Sequence, residues 1–232
     1  NLCYTVANVT FYNHKDYGIM SKHLTKSDEM NRTLALSHAK RSVYKGFFSV
    51  EEHDLTYQKF NNDRSDIVTR SALVSSDAVI VLPYDPVNDR ILLIEQFRAG
   101  PYVKGDENPW VLEPIAGLID EGETPESAGI REAQEEAHLE IKRLQLVARS
   151  YPSPGISTEF FHQYIGIVEL LDSSNLIAGL QSENEDIRSH IFEYEQFFEM
   201  IESGKVKVGP LILLGLWLSK NRNRLRKTYS NR

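Results

Sequence analysis

Between residues 77 and 97 the chain reads DAVIVLPYDPVNDRILLIEQF, and no other stretch limits the fold as tightly. Two apolar, largely β-branched runs, 79–82 and 91–94, flank the turn formers DPVND, which commits the segment to a β-hairpin. Upstream, SVYKGFFSVEEHDLTYQKF and IVTRSALV lie on either side of the Asn/Asp cluster NNDRSD and read as a second hairpin. WVLEPIAGLI leads, as strand or loop, into an acidic stretch. Further strand-like segments follow at 144–149, 160–169 and 187–194. Two helical patterns, EQFFEMIESG and GPLILLGLWLSKNRNRLRK, come last. Strands with a few interspersed helices imply an α/β domain on a mixed sheet. Residues 1–40 are polar and aperiodic and read as an extension without defined structure.

The composition narrows what such a domain can bind. With 232 residues, 41% hydrophobic and 25% charged, the chain has enough apolar material for one ordinary core, and no second core or repeat is visible. Its net charge of −7 makes nucleic acid and anionic membranes poor partners, so an anionic ligand would need a metal cation between it and the protein. The basic tail, Lys220, Arg222, Arg224, Arg226 and Lys227, is expected to complement the negative end of its own helix and remain solvated. The single cysteine, Cys3, leaves no internal disulfide framework and no cysteine-based zinc site. No apolar run reaches the roughly 18 residues of a membrane span, and no basic-then-apolar signal pattern opens the chain. A cytoplasmic location is expected.

The acidic stretch, GLIDEGETPESAGIREAQEEAHLE, carries the chemistry. Thr124-Pro125-Glu126 is a helix start, with Thr as N-cap, Pro at the first helical position and an acid in the first turn. The helix should run to about Ala137. On it Glu132 and Glu136 lie about 40° apart on one face, with Glu135 about 60° to the other side of Glu132. Arg131 stands one turn before Glu135 and can pair with it, which leaves Glu132 and Glu136 to point together. Like charges at that spacing repel, and a bound cation would relieve the repulsion. Two carboxylates on a rigid face, joined by a backbone carbonyl, make a hard-oxygen site suited to magnesium or manganese.

Gly117, five residues, Glu123, seven residues, Arg131-Glu132-Ala133-Gln134-Glu135-Glu136, two residues, then Leu139 resembles the Nudix box. The family's glycine before the last apolar residue is His138 here. A left-handed helix end is therefore expected at a side chain that tolerates it better than most. The resemblance implies an α/β/α sandwich on a mixed sheet and hydrolysis of a nucleoside diphosphate linked to another group. It also implies metal binding by Glu132, Glu136 and the Ala116 carbonyl, with Arg131 and Glu135 bracing the loop against the helix and Glu123 supporting the loop.

The segments YKGFFS (44–49), LPYDP (82–86), LIEQFR (93–98), SPG…E (153–159) and ENEDI (183–187) are similar to the bacterial ADP-ribose pyrophosphatase branch of that family. That likeness implies three parts: an extension at 1–40, a β-rich arm at 41–75 exchanged across a homodimer, and a hydrolase domain at 76–232. It places Phe47 and Phe48 at the adenine, one of them stacking, and Arg98 and Arg70 on the substrate. Leu118, the Ser153-Pro154-Gly155 turn and Glu159 complete the substrate side. Glu183 matches the base that activates water, and Glu185 a further metal ligand. The implied reaction is magnesium-dependent cleavage of ADP-ribose to AMP and ribose 5-phosphate. Three departures, Ser71, Ser75 and Ile156, fall at the ribose-phosphate end of the pattern, so a pyrophosphatase for another nucleotide sugar such as GDP-mannose is the alternative. A sensor that binds ADP-ribose without cleaving it is a further one, against which the full set Glu132, Glu135, Glu136 and Glu183 argues.

Overall fold

The computed structural model of the protein describes residues 31–171, 177–179 and 185–229. Among these, one compact unit holds residues 31–42 and 52–71, and a second holds 43–51 and 72–229.

A three-stranded sheet in the order β1-β2-β3 comprises β1 (Ala35–Lys45), β2 (Ser49–Tyr57) and β3 (Val68–Val74). The expected hairpin around the Asn/Asp cluster is present as β2 and β3, but a further strand, β1, precedes it. The run from Ser42 contains a strand end, a turn at residues 46–48 and a whole second strand, and β1 starts at Ala35, within the segment read as aperiodic. Nearly every position of β1 is exposed, so no alternation of apolar and polar residues marked it. Arg41 binds both Asp54 (2.7 Å) and Glu52 (3.4 Å) across the β1–β2 pair.

The hairpin of residues 77–97 forms the centre of the second unit, as β4 (Ala78–Asp85) and β5 (Arg90–Phe97). All eight positions of β4 are buried, because both faces of the strand are covered. Ile80, Leu82, Tyr84, Ile91 and Leu93 pack with Phe197, Leu211, Leu214 and Leu218 of two C-terminal helices, α3 (Tyr194–Glu202) and α4 (Gly209–Tyr229). Val79, Val81, Leu92 and Ile94 face Ala128, Ala133 and Ala137 of α2 (Pro125–Ala137) on the other side. The remaining strands are β6 (Trp110–Glu113), β7 (Ile115–Leu118), β8 (Arg143–Ser150), β9 (Phe161–Ile167), β10 (Ile177–Ala178) and β11 (Ile187–Glu193). They complete an eight-stranded sheet in the order β10-β11-β5-β4-β9-β8, with β6 paired to β5 and β7 to β4. The β4–β9 pair is parallel and the other pairs antiparallel. The fold is thus the expected α/β/α sandwich on a mixed sheet.

Two details depart from the sequence reading. A short helix, α1 (Ala99–Lys104), follows β5 and ends on Gly105, whose φ of 89° lies in the left-handed region. The basic tail is not merely solvated. Arg222 and Arg226 both bind Asp89 in the β4–β5 turn, where Tyr84 Oη also donates (2.7 Å), and the Arg222 guanidinium lies 3.7 Å over the Tyr194 ring.

Candidate active site

Helix α2 begins as its sequence prescribes. Thr124 Oγ1 accepts from Ser127 N and Ser127 Oγ accepts from Thr124 N, a reciprocal capping box with Pro125 at the first helical position. Tyr164 Oη donates to Glu126 (2.7 Å) and ties this end to β9. At the other end His138 adopts φ 52°, ψ 34°, the left-handed conformation expected where the box has glycine. Its N–H closes onto Ala133 O and Gln134 O.

Between these caps Arg131 holds the acidic loop. Its Nε and Nη2 donate to the two carboxylate oxygens of Glu123 (3.1 and 3.0 Å), and Nη2 also reaches Leu118 O (3.1 Å). Nη1 donates to Glu132 (2.6 Å) and Glu135 (3.1 Å). One guanidinium therefore joins β7, the loop and the helix; the Arg131–Glu135 pair forms as its spacing allows, but Arg131 also takes Glu132, which the sequence reading leaves free.

Glu132 and Glu136 both turn toward β7. Glu136 is only 2% exposed and accepts from Ala116 N (3.2 Å). Burial, then the charges of Glu132 and Glu185, push its carboxyl well above the usual carboxylate range. Glu132 is pushed up too, by burial first and by Glu135 and Glu185, against the pull of Arg131. The carboxylate of Glu132 lies against Gly117 so closely that a Cβ there would sit 1.8 Å from its Oε1, so glycine at this position leaves the carboxylate its place.

Buried carboxylates whose charge is opposed by burial and by one another are chemically suited to a hard divalent cation, and an all-oxygen donor set matches magnesium or manganese. Among the described residues no three His, Cys, Asp or Glu side chains converge as a finished metal-holding group. Glu132 is engaged by Arg131 instead. Glu185, described at the edge of the site, is felt by both helix carboxylates. Glu183 lies outside the described residues.

The other expected site residues are distributed as follows. Arg98 closes β5; its charge is felt by Glu136, and its Nε donates to Glu113 (2.7 Å). Leu118 ends β7 and gives its carbonyl to Arg131. In the turn after β8, Ser153 O accepts from Ile156 N (3.1 Å) and Ser157 N (2.9 Å), with Pro154 and Gly155 between. Glu159 follows, with its carboxyl raised by burial and by Asp77. Phe47 and Phe48 are not on a strand, as their sequence context suggested, but in the β1–β2 turn. Phe47 is 91% exposed, while the Phe48 ring packs against Tyr44 at 6.0 Å. Arg70 stands exposed on β3 in the first unit, its Nη1 on Thr69 O (3.1 Å).

Sequence reasoning passed over Glu113, the partner of Arg98. Its only signal was a lone acid inside the apolar stretch WVLEPIAGLI.

The NUDIX domain family matches residues 74–212. The ADP-ribose pyrophosphatase of Escherichia coli is 37% identical over 192 residues, 83% of this chain and 91% of that protein. The enzyme of the same name from Haemophilus influenzae is 34% identical over 191 residues, 82% and 88% of the two chains. A GDP-mannose pyrophosphatase of Escherichia coli is 33% identical over 163 residues, 70% and 84%. The crystal structure of an ADP compounds hydrolase superposes with a TM-score of 0.61 at 20% identity, over 81% of this chain and 95% of that one, and speaks to the fold alone. With the family matched over most of the chain and relatives aligned along most of their own length, this protein belongs to the NUDIX family.

Proposed function

We propose that the protein hydrolyses the pyrophosphate of ADP-ribose to AMP and ribose 5-phosphate. The observation that carries this reading is the 37% identity along 91% of an ADP-ribose pyrophosphatase, against 33% over a shorter 163-residue stretch of a GDP-mannose pyrophosphatase. Ala116 through its carbonyl, Glu132, Glu136 and Glu185 would hold magnesium or manganese, which when bound neutralises diphosphate charge and acidifies a water. The chain's own residues divide the rest of the work. Glu183 takes the proton of the attacking water, since a carboxylate committed to a cation is a poor base. Arg98 offers a guanidinium to the diphosphate. Arg131, with Glu123 and Glu135, keeps the loop against the helix.

On the substrate's two ends, Phe47 stacks on the adenine with Phe48 behind it, since an aromatic face accepts any base. Arg70, Leu118, the Ser153-Pro154-Gly155 turn and Glu159 serve the remaining contacts. The arm of residues 41–75 is read as exchanged in a homodimer. The exposure of β1 along its length, with Leu36, Val43 and Tyr44 outward, supports a partner for it. A monomer in light scattering would remove that part. No helix of the described residues is long and apolar enough to cross a membrane, and the cytoplasm is the proposed location.

A second reading, a GDP-mannose pyrophosphatase, has its own support in the 33% identical relative and in Ser71, Ser75 and Ile156. A panel of nucleotide sugars with magnesium, products separated by chromatography, decides between them. AMP released from ADP-ribose well above turnover of GDP-mannose or ATP is the expected result. Equal or absent turnover of ADP-ribose overturns the proposal.

A further inference from the structure

We infer that Glu113 is a positioning residue, which grips Arg98 by its Nε–H so that the outer fork of the guanidinium is held ready for a diphosphate. The inference rests on the substrate class proposed above, and its geometry lies wholly within the second unit.

The pairing follows from strand register. β5 and β6 run antiparallel with Ile94 opposite Glu113 and Phe97 opposite Trp110. Ile94 belongs to the core cluster beneath α2, so Glu113 emerges on the same side of the sheet as Glu136. Arg98 is fixed at the end of β5 by its own backbone. Its N–H donates to Pro109 O (2.9 Å), and its carbonyl accepts from Tyr102 N (3.3 Å) in the first turn of α1. From that anchor the side chain turns toward Glu113, and Nε meets Glu113 Oε2 at 2.7 Å.

The bond uses only one of the five N–H groups of a guanidinium. Among the described residues no hydrogen bond occupies Nη1 or Nη2 of Arg98, and the side chain is 42% exposed, while that of Glu113 is 14% exposed. The inner edge of the arginine is thus closed and its outer edge open. Glu113 is costly to keep. Burial raises its carboxyl above the usual range, and Arg98 is the group that opposes this. An acid in so unfavourable a place, holding one edge of an arginine whose field reaches Glu136, has a geometric task rather than a solvation one. Arginine recognises phosphate through a planar fork, and orientation of that plane decides whether two bonds or one can form.

The test uses ADP as a diphosphate probe, with affinity measured by calorimetry in parallel with turnover of ADP-ribose. Loss of one charge-assisted bond corresponds to roughly a 10- to 100-fold effect. Glu113→Ala should weaken ADP by about tenfold or more, and Glu113→Gln, which keeps an acceptor for Nε, by less. Arg98→Ala should weaken ADP at least as much, and the double variant should bind as Arg98→Ala alone does. Where Glu113→Ala does not fold, Glu113→Gln with Arg98→Ala closes the same cycle. In kinetics the loss should fall mainly on KM. Multiplying effects in the double variant, unaltered ADP affinity in both Glu113 variants, or a wild type that does not bind ADP each overturn the inference. A coupled cycle on ADP beside a wild type inert toward ADP-ribose would sink the proposed substrate and leave the role of Glu113 standing.

Discussion

Replacing Gly117 by Ala isolates the position of one carboxylate from the rest of the fold. Gly117 lies in β7 opposite Val79 with a backbone conformation open to any L-residue, so the strand itself has no objection to alanine. The added Cβ would stand 1.8 Å from Glu132 Oε1, 2.1 Å from Cδ and 2.7 Å from Cγ, distances that cannot persist. What yields is the far end of a flexible side chain, so Glu132 must swing away and give up its 2.6 Å bond to Arg131. Arg131 retains Glu123, Glu135 and Leu118 O, so the loop stays braced. The lost, partly exposed ion pair is worth about 1 kcal/mol, and replacing Gly by Ala in a strand returns roughly 0.5–1 kcal/mol. Stability should therefore change by less than about 1 kcal/mol, a melting shift within ~4 °C for a domain of this size.

Activity should not survive in the same way. Displacing a group by about an ångström from its working position costs on the order of 100-fold in kcat/KM. The assay is release of AMP from ADP-ribose with magnesium, paired with thermal melts of the same preparations. Gly155→Ala is the control for melting: nothing lies within 4 Å of a Cβ there, so its stability should match wild type. Wild-type kcat/KM in Gly117→Ala, with a normal melt, would show that Glu132 need not stand where it does. A melting point lowered by more than about 10 °C would refute the claim that only the side chain moves.

Three further outcomes follow from the site and its frame. Glu136→Gln should abolish turnover yet stabilise the metal-free protein at neutral pH. The raised carboxyl of Glu136 favours folding below the ordinary carboxylate range, and that contribution is lost as pH rises through its folded pKa, so a chelator-treated wild type should lose melting temperature over that interval and the variant should lose less. Glu183→Gln should lower kcat by about 10²- to 10⁴-fold with KM little changed, and a near-normal kcat would remove it as the base. Asp89→Asn should cost about 2 kcal/mol, a melting loss of roughly 4–8 °C. It leaves Arg222 and Arg226 facing each other without the carboxylate that both hold, and an unaltered melt would show that the clamp on α4 contributes nothing.

What the sequence disclosed, and what it withheld, divides by the range of the forces involved. Helix α2 was legible to the residue because its start is a local capping event and its end a local backbone conformation, both written within four positions of Thr124 and His138. The β4–β5 hairpin was legible because burial on both faces leaves an unbroken apolar run. The β1–β2 turn was missed for the opposite reason. Gly46 is followed by two phenylalanines, residues of high strand propensity, so the turn reads as uninterrupted strand. Helix α1 is six residues with Gly100 and Pro101 inside, too short for any periodic signal.

The candidate site repeats that division. Its carboxylates could be placed on one face from helical geometry alone, but nothing local says that Glu132 rests on Gly117, since that contact depends on β7 lying under α2. Arg98 could be named from its motif, whereas its partner required the register of two antiparallel strands, which sets residue 113 beside residue 94 and so within reach of residue 98. The chemistry of the site is thus carried by short-range spacing, while its aim is set by long-range pairing. Substitutions on the pairing side, at Gly117 or Glu113, should accordingly disturb alignment while every proposed ligand and the base remain in the chain.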